Sequence, residues 1–152
     1  MVRVKDKYIK HLRKIDNKVP KNYNQKRPYV GVLITINGYN YFAPLSSPKN
    51  KHKKMSNSML DVFKIKQGEY GIVNLNNMIP VHESQIIEFD FNNEDYQYRL
   101  ILINQYIHLK KGKNQLERKA RVLYEKVKNG HQISERCCDF EILEDACSNF
   151  KK

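Results

Sequence analysis

A chain of 152 residues fits one domain, read here as residues 1–152, and is long enough to bury a core without disulfide or metal staples. Its net charge of +12 is unevenly placed: residues 1–54 hold 14 Lys and Arg against Asp6 and Asp16, and the remainder is neutral, which suits a face that meets a polyanion. Three late cysteines (Cys137, Cys138, Cys147) without metal-ligand spacing, a basic N-terminus without an apolar run, and no stretch of membrane-spanning length argue against a disulfide scaffold, a secreted protein and a membrane protein, leaving a soluble cytoplasmic protein with free thiols as the expectation.

In chain order, Val4, Tyr8, Ile9, Leu12 and Ile15 recur at helical spacing and predict a short amphipathic helix within residues 5–16, its other face Lys and Arg. Lys18–Pro28 has two prolines and no apolar period, so it reads as a loop, and it carries Tyr23 and Arg27. A loop tyrosine is more often a surface anchor than a catalyst, although one set among Lys and Arg can stack a single-stranded base. Tyr29–Ile36 and Tyr39–Pro44 are rich in β-branched and aromatic residues, and Asn37-Gly38 between them signals a type I′ turn, because both residues tolerate positive φ. That turn sets Ile36 opposite Tyr39 and Ile34 opposite Tyr41. With Val32 and Ile34 on one side and Leu33 on the other, the hairpin should be central and covered on both faces. Pro44 and Pro48 are expected to end its pairing.

Ser46, Ser47, Pro48 and Lys49 follow, then Lys51, His52, Lys53 and Lys54, with no acid until Asp61. Two hydroxyls and an ammonium thus share one predicted loop. Such a string is usually only a polar turn, so its surroundings must carry any functional argument. The histidines are scattered without a pair at metal or acid-base spacing, and only His52 sits in a suggestive place.

Ser56–Ser58 reads as a capped turn. Strands are predicted within Leu60–Lys66, Tyr70–Leu75, Met78–Val81 and Ile86–Phe91, separated by Gly68, Asn76-Asn77 and a break at Pro80. Short strands joined by turns favour an antiparallel sheet or small barrel. From Asn93 the period becomes helical: Tyr96, Leu100, Ile103 and Ile107 form one stripe, and after a break near Gly112 come Leu116, Ala120, Leu123 and Val127. These stripes are read as core. Asn129-Gly130 should stop the second helix, and Cys138–Phe150 reads as a last short helix aligning Phe140, Leu143 and Cys147. The predicted fold class is α+β.

Several of these pieces occur in an order and spacing that resembles the ToxN/AbiQ family of type III toxin-antitoxin endoribonucleases. They are Tyr8-Ile9-Lys10 with Lys18-Val19-Pro20, the run from Gly31 through Ala43-Pro44-Leu45-Ser46-Ser47-Pro48-Lys49, Phe63-Lys64, Gly71–Leu75 with Met78-Ile79-Pro80, and Cys138-Asp139-Phe140. The resemblance spans nearly the whole chain. It implies a strongly twisted antiparallel sheet of small-barrel type, like the Kid and MazF toxins, flanked by helices. It implies metal-independent, sequence-specific RNA cleavage without a cofactor; attack by the substrate's own 2′-hydroxyl would then leave 2′,3′-cyclic phosphate and 5′-hydroxyl ends. The implied partners are a repetitive noncoding antitoxin RNA, cut into units that fold as pseudoknots and close with several toxin copies into a ring-like assembly, and cellular or phage RNA substrates; some members act in abortive infection. Carried onto this chain, the catalytic set falls on Ser46, Ser47 and Lys49, with Tyr8, Tyr23 and Arg27 around the same groove. Ser46 stands where a compared member has Thr, Arg27 where it has Lys, and the Pro20–Tyr23 segment is shorter.

The residues themselves fit this chemistry. RNA carries its own nucleophile, the 2′-hydroxyl, so cleavage needs in-line positioning, proton removal and stabilisation of the phosphorane charge. Lys49 suits the transition-state cation, Ser47 a hydrogen-bonding or relay role, and Ser46 orientation; which group takes the proton stays open. Lys7, Lys10, Lys18, Lys51, His52, Lys53 and Lys54 form the expected RNA-binding set, with Phe140 a stacking candidate that its helical spacing equally fits for core. No metal site is expected. The chief alternative is a basic barrel that binds RNA without cutting it, and a ribosomal accessory protein would fit the charge but not the Ser46–Lys49 loop.

Overall fold

The computed structural model describes residues 1–150, which form an α+β fold around an eight-stranded antiparallel sheet. Strand β1 (Val2–Val4) leads into helix α1 (Asp6–Ile15). After the predicted loop come β2 (Tyr29–Val30), β3 (Thr35–Ile36), β4 (Tyr39–Ser46) and the short helix α2 (Asn50–Lys54). Strands β5 (Val62–Lys64), β6 (Ile72–Asn74), β7 (Ile79–Pro80) and β8 (Ile86–Glu88) follow, then α3 (Tyr96–Lys111), α4 (Lys113–Lys128) and α5 (Phe140–Asn149). The sheet runs β5-β6-β4-β2-β1-β8, with β3 and β7 also on β4, and it does not close. Among the described residues no helix is long and apolar enough to cross a membrane.

Strand β4 is the axis of the sheet. Along its length it pairs in turn with β3, β7, β2 and β6, so its end is fixed from two sides. The hairpin turn is as predicted: Asn37 and Gly38 have φ of 55° and 81°, and Ile36 pairs with Tyr39. Beyond it Tyr41 accepts from the Leu33 N–H and donates to the Ile34 carbonyl, so two residues face one and the strand bulges. The bulge turns Val32 outward, where it is 44% exposed while Leu33 and Ile34 are buried, so the hairpin is not covered on both faces.

Pro44 does not end the pairing. Strand β4 continues through it to Ser46, because the missing N–H falls where β4 passes from β7 to β6, whose ladder begins only at Leu45. Ser46 is therefore the last residue of a strand and not part of a loop.

Helix α1 buries Tyr8, Ile9 and Leu12 and packs against α5, which buries Phe140, Leu143 and Ala146. Between sheet and helices sits a polar knot: the hydroxyls of Tyr41 and Tyr124 both donate to Glu144, at 2.5 and 2.7 Å, and Phe140 stacks on Tyr124 with ring planes 8° apart. Two donors satisfy a carboxylate that would otherwise be costly to bury. Helix α4 ends as its Asn-Gly signal requires, with Gly130 at φ 77° and both backbone bonds of a Schellman cap, Gly130 N–H to Val127 and His131 N–H to Lys126.

On α3 the predicted core stripe is on the wrong face. Tyr96, Leu100, Ile103 and Ile107 are exposed, whereas Leu102, Gln105 and Leu109 are buried. Residues 100–109 are apolar nearly all round, so the period cannot choose a face; the side-chain amide of Gln105, bonded into the sheet, marks the buried one.

Candidate active site

The end of β4 delivers Ser46, Ser47 and Lys49 to one place, and the neighbouring elements hold their backbone. The Ser46 hydroxyl accepts from Asn74 Nδ2 at 2.7 Å, and its carbonyl accepts from Gln105 Nε2 at 3.3 Å. The same Gln105 amide donates to the Tyr70 carbonyl at 2.9 Å, so α3 and the turn before β6 are tied to the end of β4. Ser46 is half-buried, whereas Ser47 and Lys49 are exposed. One hydroxyl is thus engaged by the protein, and the second hydroxyl and the ammonium face outward.

Gly71 completes this support. It has φ +91°, and a Cβ on it would lie 2.1 Å from the Ser46 carbonyl oxygen. Gly71→Ala combines left-handed strain with a clash against backbone, and we expect it to cost at least about 2 kcal/mol and to lower cleavage activity with stability. Thermal unfolding of the variant checks this; an unchanged melting temperature would count against the close packing.

Arg27 and Tyr23 reach the same end of the sheet through β2. The Leu45 N–H donates to the Pro28 carbonyl at 3.0 Å, which places Arg27 one residue beyond the ladder that leads to Ser46. The Arg27 guanidinium lies 5.2 Å from the Tyr23 ring, and its Nε donates to the Lys21 carbonyl. Tyr23, Asn24 and Gln25 all have positive φ, and the turn is anchored to the start of α1 by Asp6, which accepts from Asn22 Nδ2 and the Gln25 N–H. Tyr23 is 60% exposed. It lines a cleft with Lys10, Arg13 and Lys21 and the carboxylate of Asp6. Helix α3 adds Tyr98, which periodicity did not single out. Its phenol is pushed up by burial, against the opposing charges of Arg3 and Arg27.

Tyr8 does not join this group. It is 1% exposed, its hydroxyl donates to the Pro80 carbonyl, and its ring meets Phe150 edge-on, beside the part of β4 that pairs with β7 and away from Ser46. Burial pushes its phenol far above the ordinary tyrosine range, so it holds its proton. The apolar stripe of α1 placed it in the core, and the structure keeps it there.

Two of the RNA-binding expectations are corrected in the same way. Phe140 is buried between Tyr41 and Tyr124 and has no free face for a base. His52 is 1% exposed, turned inward from α2, where its Nδ1 accepts the Lys49 N–H at 3.1 Å. Burial, with Lys51 and Lys49 nearby, pushes its pKa below the ordinary histidine value. By contrast Lys7, Lys10, Lys18, Lys51, Lys53 and Lys54 are exposed, Lys18 with its ammonium on the Cys137 carbonyl at 3.0 Å. Asp61, the nearest acid in sequence, is 3% exposed and clasped by Arg136 through two bonds of 3.0 and 3.1 Å. Among the described residues no three His, Cys, Asp or Glu side chains are grouped to hold a metal ion. Of the residues that hold this strand end, sequence reading noted Gly71 and Asn74 only within the Gly71–Leu75 stretch and gave them no role, and it missed Gln105 altogether.

A family model described as toxin ToxN of a type III toxin-antitoxin system matches residues 1–148. The chain is 35% identical, over 161 aligned positions, to endoribonuclease ToxN of Bacillus thuringiensis subsp. kurstaki, an alignment covering 98% of this chain and 82% of that protein. It is 32% identical over 162 positions to endoribonuclease AbiQ of Lactococcus lactis subsp. lactis, covering 98% and 87%. A solved structure from a bacterial antiviral system regulated by a processed non-coding RNA superposes with a TM-score of 0.87 at 28% identity, covering 99% of this chain and 98% of the other. AbiQ, a lactococcal anti-phage endoribonuclease, superposes with a TM-score of 0.83 at 30% identity, covering 97% and 94%. A type III toxin selectively inhibited by a non-coding RNA pseudoknot superposes with a TM-score of 0.81 at 32% identity, covering 99% and 96%.

Proposed function

The chain belongs to the ToxN family of type III toxin-antitoxin endoribonucleases, and from that premise we propose that it is a toxin that cuts RNA at the Ser46–Lys49 end of β4 and is restrained by a noncoding pseudoknot RNA. The observation that carries the site assignment is the division of labour at that strand end. Ser46 is engaged by Asn74 and Gln105, while Ser47 and Lys49 stand exposed beside it.

The chemistry follows from what these groups can do. Lys49 supplies a cation for the charge that develops on the scissile phosphate. Ser47 hydrogen-bonds the reacting group or relays its proton, and Ser46 fixes the backbone from which both project. Arg27, with its fork of donors, suits a flanking phosphate, and Tyr23 beside it offers a face for a base. The reaction is a transesterification by the substrate's 2′-hydroxyl, without a metal. In support, the groups at the strand end are hydroxyls and cations, and the nearest acid in sequence, Asp61, is already bound to Arg136. The antitoxin RNA lies along the exposed Lys7, Lys10, Lys18, Lys51, Lys53 and Lys54 and the half-buried Arg27, covers the cleavage loop, and joins several toxin copies in a closed protein–RNA assembly. Phage RNA and cellular RNA are the substrates.

This map gives a salt prediction. If most of these side chains contact phosphate, affinity for the antitoxin RNA should fall roughly a thousandfold between about 50 and 200 mM salt. Filter binding across that range measures the slope. A salt-independent complex, or protection confined to the neutral segment after residue 54, would sink the map.

A further inference from the structure

Helix α2 has little of its own to stabilise it. It is five residues long, too short to persist alone, and it places Lys51, Lys53 and Lys54 together just after Lys49. Lys49 is its N-cap, where Ser, Thr, Asp or Asn would offer an acceptor to the first turn and a lysine offers only donors. Cations near a helix N-terminus also oppose the macrodipole.

The support comes from outside. Gly68, at φ +89°, packs so closely that a Cβ on it would lie 2.5 Å from the His52 carbonyl oxygen. At the far end the Lys64 ammonium donates to the carbonyls of Lys53 and Met55, at 3.3 and 3.0 Å. At the first turn the His52 N–H donates to the Lys49 carbonyl at 3.0 Å, and the His52 ring reaches back so that Nδ1 accepts the Lys49 N–H at 3.1 Å. A backbone N–H can only donate. Nδ1 must then be the unprotonated nitrogen, with the ring neutral and its proton on Nε2. Burial and the nearby lysines favour that neutral form.

Resting on the reading of Lys49 as the transition-state cation, we propose that His52 is a positioning residue for the cleavage loop: its buried Nδ1 fixes the Lys49 amide and thereby the point from which the lysine side chain leaves the backbone. His52 never meets the RNA. Its loss acts on the rate of the bound complex and leaves the exposed lysines that hold the strand untouched.

The test is cleavage kinetics on a defined mRNA fragment that the wild-type protein cuts, comparing His52→Leu, His52→Gln and Lys49→Ala. His52→Leu keeps the bulk and removes the acceptor. It should lower kcat on the order of a hundredfold, the cost of a misplaced catalytic group, with KM close to wild type. Glutamine at this helical position can accept from the N-cap N–H, so His52→Gln should recover most of the rate. A His52→Leu protein with wild-type kcat, or a His52→Gln protein as slow as the leucine variant, would overturn the proposal. Should a variant fail to fold, the wild-type protein decides by ¹⁵N NMR of its imidazoles: a neutral ring protonated on Nε2 supports the role, and a ring protonated on Nδ1 at neutral pH overturns it. Lys49→Ala separates this idea from the reading it rests on. If that variant cuts at the wild-type rate, both fall. If it is inactive while His52→Leu cuts normally, only the positioning role falls.

Discussion

Lys49→Ala is expected to lower RNA cleavage by about a hundred- to a thousandfold or more, the range found when one preorganised transition-state stabiliser is removed, while the protein stays folded and still binds RNA. Lys49 is exposed, and its structural contacts are made by its backbone, through the N–H to His52 Nδ1 and the carbonyl to the His52 N–H. Truncating the side chain should therefore shift stability by no more than about 0.5 kcal/mol. Ser47→Ala is expected to behave in the same way, since Ser47 is also exposed. Ser46→Ala should differ: it removes the acceptor for Asn74 and leaves a half-buried amide without that partner, so part of its effect is on stability. Single-turnover rates, RNA affinity at fixed salt and thermal unfolding, measured together, separate these outcomes. If Lys49→Ala cut normally, the strand end would be no active site. If it bound RNA as poorly as it cut, the alternative of a binding module would gain.

What was legible in the sequence was what local chemistry determines. Asn37-Gly38 and Asn129-Gly130 announced a hairpin turn and a helix stop, because positive φ is demanded at Asn37, Gly38 and Gly130 and few residues accept it. The amphipathic α1 was readable because one face is apolar and the other basic. The face of α3 was not, since its apolar residues surround the helix and the choice depends on Gln105 finding the carbonyls of Ser46 and Tyr70, which are distant in sequence. The same limit governed the site. Ser46, Ser47 and Lys49 lie next to one another in the chain and could be seen, whereas the inward turn of His52 depends on the Gly68 segment that packs behind it. Pro44 misled for a related reason: a proline ends a ladder only where its N–H is needed, and that depends on which neighbour lies opposite.

Replacing the 2′-hydroxyl by hydrogen at the scissile nucleotide is expected to slow cleavage at least about a thousandfold with little change in binding, because a well-oriented intramolecular nucleophile acts at an effective molarity on the order of 10⁵ M or more, far above that of water. The expectation follows from the kinds of groups at the strand end. Ser47 and Lys49 can hydrogen-bond and neutralise charge, and neither they nor Arg27 and Tyr23 form the oxygen cage through which hard divalent ions are usually held. An enzyme so equipped does best by assisting a nucleophile that the substrate already carries. Attack by the 2′-oxygen closes a 2′,3′-cyclic phosphate and expels the 5′-oxygen of the next nucleotide, so the products must carry a cyclic phosphate and a 5′-hydroxyl, and cutting should persist in EDTA. End-group analysis by mass spectrometry, with the deoxy substrate run in parallel, reads all three consequences. Efficient cutting of the deoxy substrate, or 5′-phosphate ends that appear only when Mg²⁺ is supplied, would require water as the nucleophile and would remove the roles assigned to Ser47 and Lys49.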